Sequence, residues 1–178
     1  MGSCYRRAAA ALLLAAAAVF AGAALHPSPP QEIDGALVRG SSDHREIALV
    51  FTGHSHAEGV PEILSGLQSR RLQASFFLTG DFLRNPSFRP LVSRMKSEGH
   101  YVGPHSDRHL LCCSEDAGRR TLLTEAQFRR DILNNVAELE RMGIARRSVQ
   151  YWLPAFENHN RQVVEWSRKM GLMLINHT

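Results

Sequence analysis

From residue 46 onward the chain alternates between two hydrophobic periods. The apolar run EIALVFT (46–52) closes at Gly53 and suits a buried parallel strand. PEILSGLQSRR (61–71) opens on Pro61 and sets Ile63, Leu64 and Leu67 at helical spacing. QASFFLTG (73–80) predicts a second strand. NPSFRPLVSRMKSEG (85–99) repeats the helical face with Phe88, Leu91, Val92 and Met95 and stops at Gly99. HYVG (100–103) predicts a very short third strand. Thr124 and Gln127 have the spacing of a capping box, and Phe128, Ile132, Val136, Leu139 and Met142 line one face of a helix ending at Gly143. SVQYWLP (148–154), residues 160–170 and LMLINHT (172–178) then predict strand, helix and strand. This β-α alternation implies an α/β fold of parallel strands joined by right-handed crossovers, in an open sheet or a barrel.

The segment before this pattern is different. Residues 26–45 are rich in Pro, Ser, Gly and charge and read as a linker with little structure of its own. Residues 1–25 carry Arg6 and Arg7, then an alanine- and leucine-rich run, then small residues, the layout of a secretory signal peptide. The run is also close to the length of an uncleaved N-terminal anchor, which would tether the protein to a membrane. Either reading exports the rest of the chain. The 178 residues fit one folded domain over 46–178. The net charge of +4 is scattered, with no basic stripe interleaved with aromatics, which argues against a nucleic-acid partner. Cys112 and Cys113 are adjacent, so a disulfide between them would be strained, and they read as buried packing.

Parallel α/β folds place their ligand sites at the carboxyl ends of the strands. Here those ends run into TGHSHAEG, GPHSDRH and PAFENHN, so His54, His56, Glu58, His105, His109, Glu157 and His159 could share one mouth. His105 and His109 are four residues apart. On one helical turn both rings would project the same way and could reach a zinc-like cation at about 2.0–2.1 Å. A carboxylate from another loop is the expected third ligand, with Glu58 the first choice. Such a set leaves coordination positions open for water and substrate, as a hydrolytic site requires. The bland reading has His105 buried and hydrogen-bonded while His109 is exposed.

Four elements occur in family order: a strand running into a polar loop, ASFFLTG (74–80), SEGHYVGPH (97–105) and HSDRH (105–109). Together they resemble the polysaccharide deacetylases of carbohydrate esterase family 4, the NodB-like group. The resemblance implies a distorted (β/α) barrel and metal-dependent hydrolysis of N- or O-acetyl groups on a glycan, with His105 and His109 as metal ligands. This chain departs from the family's T-F-D-D-G motif, where one Asp is the base and the next a ligand. In TGHSHAEG, one register puts Glu58 at the ligand position and Ala57 at the base. The other puts His54 at the base position and Ser55 at the ligand. His54 as base with Glu58 as ligand is the combination adopted, with His56 a substitute for either. The family's R-x-P-(F/Y) motif is LPAF, with Leu153 for the arginine and Phe156 for the aromatic. In the family that arginine helps orient the catalytic aspartate; Glu157 next door is a catalytic candidate that could contribute a hydrogen bond or a ligand instead. Family domains continue past the fifth strand, so the barrel is expected to be incomplete at the C-terminus.

The function expected is a metal-dependent hydrolase of a divergent subgroup that removes acetyl groups from a polysaccharide or oligosaccharide. The alternative is a catalytically inactive glycan-binding module on the same fold, motivated by the missing aspartate and arginine. Zinc is the first choice of divalent cofactor, and cobalt, nickel or iron also suit imidazole and carboxylate ligands. Trp152 and Phe156 are the candidate sugar platforms.

Overall fold

The computed structural model describes residues 28–43 and 45–177; the N-terminal segment read as a signal peptide or anchor lies outside the described residues. Three parallel strands, β3 (Val50–Gly53), β4 (Ser75–Leu78) and β5 (Tyr101–Pro104), pair in the order β3-β4-β5, with Val50 opposite Ser75 and Ser75 opposite Tyr101. β4 is flanked on both sides, which is why SFFL buries three of its four side chains. A second parallel pair, β6 (Tyr151–Trp152) and β7 (Met173–Leu174), continues the curve beyond β5. The Tyr101 hydroxyl joins the two sheets: it donates to Tyr151 O at 2.7 Å and accepts from Tyr151 N–H at 2.8 Å. Beyond it, Leu153 N–H donates to Pro104 O at 3.2 Å.

Helices α1 (Val60–Arg70), α3 (Arg89–Ser97), α4 (Glu125–Arg141) and α5 (Arg161–Lys169) cover the strands, as their apolar stripes predict. The capping box of α4 is present: Thr124 Oγ1 accepts from Gln127 N–H, and Gln127 accepts from the Thr124 backbone. Trp152 packs edge-on against Phe128, which also meets Trp166. A five-residue helix, α2 (Gly80–Arg84), is too short to show a period in sequence. It is set by Thr79, whose hydroxyl accepts from Phe82 N–H at 3.1 Å.

The linker expectation is overturned in part. Residues 31–39 form an antiparallel hairpin of β1 (Gln31–Ile33) and β2 (Ala36–Arg39). Its two-residue turn is Asp34-Gly35, both at positive φ (49° and 85°), the dipeptide that a tight hairpin turn favours. β2 then docks on the end of β7 through a parallel bridge between Leu37 and Ile175. The first strand of the alternating pattern is shorter than predicted: residues 46–49 are exposed, Ile47 by 89%. Between this edge of β3 and the β2–β7 end lies a groove of ≈ 680 Å³, lined by Leu37, Ile47, Val50, Thr52, Leu153, Glu157 and Ile175 among others. Among the described residues no helix is long and apolar enough to cross a membrane.

Candidate active site

β3 ends at Gly53, where a Cβ would sit 2.8 Å from Leu78 Cδ2, so the chain can pass close to β4 only as glycine. The next residue is His54. The Thr79 hydroxyl donates to His54 O at 3.4 Å, which leaves its oxygen to accept from His54 Nδ1–H at 3.3 Å. That tautomer keeps the lone pair on Nε2.

β5 delivers His105, which is 2% exposed. Its Nδ1 lies 2.9 Å from Leu153 O, and because a carbonyl can only accept, the proton is on Nδ1 and the lone pair again on Nε2. Burial first, then the neighbouring His109 and His54, hold its pKa down at about 4, against the hydrogen bond to Leu153 that favours the charged form. The ring is therefore neutral at physiological pH. Its backbone N–H donates to Asn135 Oδ1 at 2.9 Å, and Asn135 Nδ2 donates on to Leu78 O at 3.1 Å, tying the ends of β4 and β5 together.

The spacing argument for the second histidine fails in its geometry. Residues 105–109 do not form a helical turn: Ser106 and His109 both have positive φ, 72° and 53°. The loop is shaped instead by α4. Asp131 accepts from the N–H groups of Asp107 (3.0 Å) and Arg108 (3.1 Å), and Ser106 Oγ accepts from Leu110 N–H. Arg84 clamps it from the other side, bonding Asp107 at 2.6 Å, Asp81 at 2.8 Å and Glu138 at 3.3 Å. The result still brings the rings together. His109 meets His105 edge-on at 5.1 Å between centroids and lies nearly parallel to His54 at 4.6 Å. Phe156 closes its remaining flank at 4.6 Å. Burial, then His54, lowers the His109 pKa, and its ring nitrogens take no hydrogen bond among the described residues.

The remaining expectations divide. Phe156 is 50% exposed and stands beside Glu157, with both residues in the left-handed region (φ 60° and 50°). Two successive non-glycine residues there hold the rim in a strained shape. Trp152 is not a sugar platform: it is fully buried and donates Nε1–H to Ser167 Oγ at 2.9 Å. His159 turns away from the mouth, bonding Ile33 O and Asn176 to anchor the hairpin. Glu58 is not brought to the histidines. Its side chain is 81% exposed and sits 3.5 Å from His56, itself 82% exposed. Thr79, Asp131 and Asn135 were not singled out in the sequence. The last two carried a signal, as polar residues at i and i+4 on the otherwise apolar face of α4.

A divalent cation is implied by the fold family, and the donor set can be tested against it. As the rings lie, no three His, Cys, Asp or Glu side chains of the described residues are arranged as a metal site. The face-to-face stacking of His54 on His109 accounts for this. The donor chemistry nevertheless fits. His54 and His105 each rest Nδ1–H on an oxygen and leave Nε2 free, the orientation in which protein histidines ligate metals, and His109 is not held by any hydrogen bond.

Comparison with known proteins agrees with this architecture. The chain is 27% identical over 138 residues to a peptidoglycan-N-acetylglucosamine deacetylase of Bacillus cereus, covering 76% of this chain and 45% of that protein. It is 32% identical over 74 residues to the peptidoglycan-N-acetylmuramic acid deacetylase PdaA of Bacillus subtilis, covering 42% and 27%. The chain thus spans less than half the length of these curated relatives. A family 4 carbohydrate esterase from Bacillus anthracis has the same fold, with a TM-score of 0.68 at 23% identity over 80% of this chain and 63% of the other. The sequence profile described as polysaccharide deacetylase matches residues 39–175, which takes in every strand from β3 to β7 and all three histidines of the cluster. This chain belongs to the polysaccharide deacetylases, the NodB-like carbohydrate esterases of family 4.

Proposed function

We propose that the protein is exported and removes acetyl groups from a polysaccharide or oligosaccharide with the help of a divalent cation held by His105 and His109. The observation that carries this reading is the packing of three imidazoles, His54, His105 and His109, at the carboxyl ends of β3 and β5, with His105 kept neutral. Bound there, a divalent cation would supply Lewis acidity toward the acetyl carbonyl and toward water. Zinc is favoured, and cobalt, nickel or iron suit the same ligands. His54, stacked on His109, is the group beside the pair with a proton-accepting atom to spare, and Glu157, next in sequence to Phe156, is the second candidate. Half-exposed Phe156 offers a sugar an apolar face next to His109. The relatives are named for peptidoglycan sugars, which makes an N-acetylated cell-wall glycan the substrate class to try first. Export would follow from the signal-like residues 1–25.

The experiment is acetate release from peptidoglycan and from N-acetylglucosamine oligomers by the purified full chain, with zinc, cobalt or nickel added after chelation. Release that depends on added metal and is lost in His105→Ala and His109→Ala supports the reading. A folded protein that releases no acetate under any of the metals would refute it.

A further inference from the structure

We propose that the substrate class is an acetylated glycan bearing a carboxylate, and that Arg108 is the side chain that recognises this group; this rests on the deacetylase reading above. Arg108 immediately precedes His109 in the loop that begins at His105. Its root is fixed, and its tip is not. The backbone N–H donates to Asp131 Oδ1 at 3.1 Å, so α4 holds the residue in place, whereas the side chain is 62% exposed. Asp81 sets the tip on the histidine side of the mouth: Arg108 Nη1 donates to Asp81 Oδ1 at 2.8 Å, and the same carboxylate lies within electrostatic reach of His54. Nη2 of Arg108 makes no hydrogen bond among the described residues.

Two arginines meet here, and they differ in what they hold. Arg84 reaches Asp107 at 2.6 Å, Asp81 at 2.8 Å and Glu138 at 3.3 Å. Asp107 and Glu138 are largely buried, so Arg84 cannot leave without stranding charge. Arg108 has one short ion pair among the described residues, to the Asp81 Oδ1 that Arg84 also holds, and a longer approach of 3.5 Å to Asp107. Turning its tip toward a ligand therefore leaves both carboxylates paired with Arg84. What is exchanged is one exposed ion pair for another, and exposed pairs are weak.

The guanidinium is planar, permanently charged and forked, a match for the two oxygens of a carboxylate. One such cation offsets one negative charge, which suits a carboxylate better than a doubly charged phosphate. Phe156 packs on His109 at 4.6 Å, and Arg108 adjoins the same histidine in sequence. A sugar whose acetyl group lies at the histidines thus meets an apolar face in Phe156 and a cation in Arg108. A neutral N-acetyl sugar leaves that cation facing water and Asp81, whereas a carboxylated one pairs with it.

The test uses the full chain, with zinc present, and two compounds that differ in one group. One is a disaccharide of N-acetylglucosamine and N-acetylmuramic acid with its lactyl carboxylate free; the other is the same disaccharide with that carboxylate converted to the methylamide. Affinities are measured by calorimetry for the parent, Arg108→Gln and Arg108→Lys, with circular dichroism to confirm folding. The parent should bind the acid about 10-fold more tightly than the amide, the worth of one charge-assisted hydrogen bond. Raising the salt should shrink that preference. Arg108→Gln should abolish it, and Arg108→Lys, which keeps the charge without the fork, should fall between. A parent that binds both compounds alike, or neither, would overturn the inference, as would a preference that survives in Arg108→Gln. Acetate release separates the two readings. Equal kcat/KM for acid and amide overturns the inference and leaves the deacetylase reading in place; acid-selective binding with no acetate released from either compound overturns the deacetylase reading and leaves the recognition by Arg108 standing.

Discussion

Replacing His105 with asparagine isolates what it costs to keep an imidazole neutral inside this barrel. The amide of asparagine can stand where Nδ1–H stands and donate to Leu153 O, so the variant removes the titration while keeping the anchor. His105 has a pKa of about 4 in the folded protein, whereas a histidine in the unfolded chain titrates near 6.5. Between those values the unfolded chain binds a proton that the native protein refuses. Stability must therefore rise with pH through the window from about 4 to 6.5 and level off above it. The difference between the two pKa values corresponds to about 3 kcal/mol, lost progressively as pH falls through that window. The assay is urea unfolding of parent and His105→Asn at half-unit steps from pH 4 to pH 8, with chelator present so that no cation competes for the ring. The parent should lose about 3 kcal/mol relative to the variant between pH 7 and pH 4. Parallel stability curves across that range would refute the reasoning, because they would mean that His105 titrates alike in the folded and unfolded chains.

Asn135→Ala removes a buried bridge between His105 N–H and Leu78 O, and should cost about 2–3 kcal/mol in chemical denaturation. Thr124→Ala deletes the cap of α4 and should cost about 1 kcal/mol by the same measurement. Gly80→Ala would drive a Cβ into Asp107 and disturb its pairing with Arg84, so a destabilisation of about 1–3 kcal/mol is expected. Trp152→Phe should lower the melting temperature and leave glycan affinity unchanged, whereas Phe156→Ala should do the reverse; binding of N-acetylglucosamine oligomers by calorimetry separates them.

The long helices were legible because each repeats its apolar face over several turns, and α4 even announces its start through Thr124 and Gln127. The convergence of histidines was legible from topology, since strand ends in a parallel fold share one side. The local reason was not. Two residues with positive φ, Ser106 and His109, shape the loop, and their conformation is imposed by Asp131, Arg84 and Asn135 from distant parts of the chain. Glu58 illustrates the same limit: its distance in sequence from His54 says nothing about which way a loop side chain points. The hairpin is a different case. Asp34-Gly35 between ALVR and QEI is a strong turn signal, and the surrounding Pro, Ser and charge masked it. Trp152 was misread because strand alternation cannot say which face of a two-residue strand looks into a barrel.

β3 has a hydrogen-bonded neighbour on one flank only among the described strands, yet it is the strand that presents His54. β5, which presents His105, is held by β4 on one side and through Tyr101 by β6 on the other. Edge amides open to solvent more readily than those inside a sheet, by local fraying that leaves the rest of the fold standing. The two anchored histidines therefore have unequal lifetimes. His105 stays in place as long as the domain is folded, while His54 leaves whenever the first strand peels back. The imidazole cluster would then open by the breathing of one short edge rather than by unfolding of the whole protein.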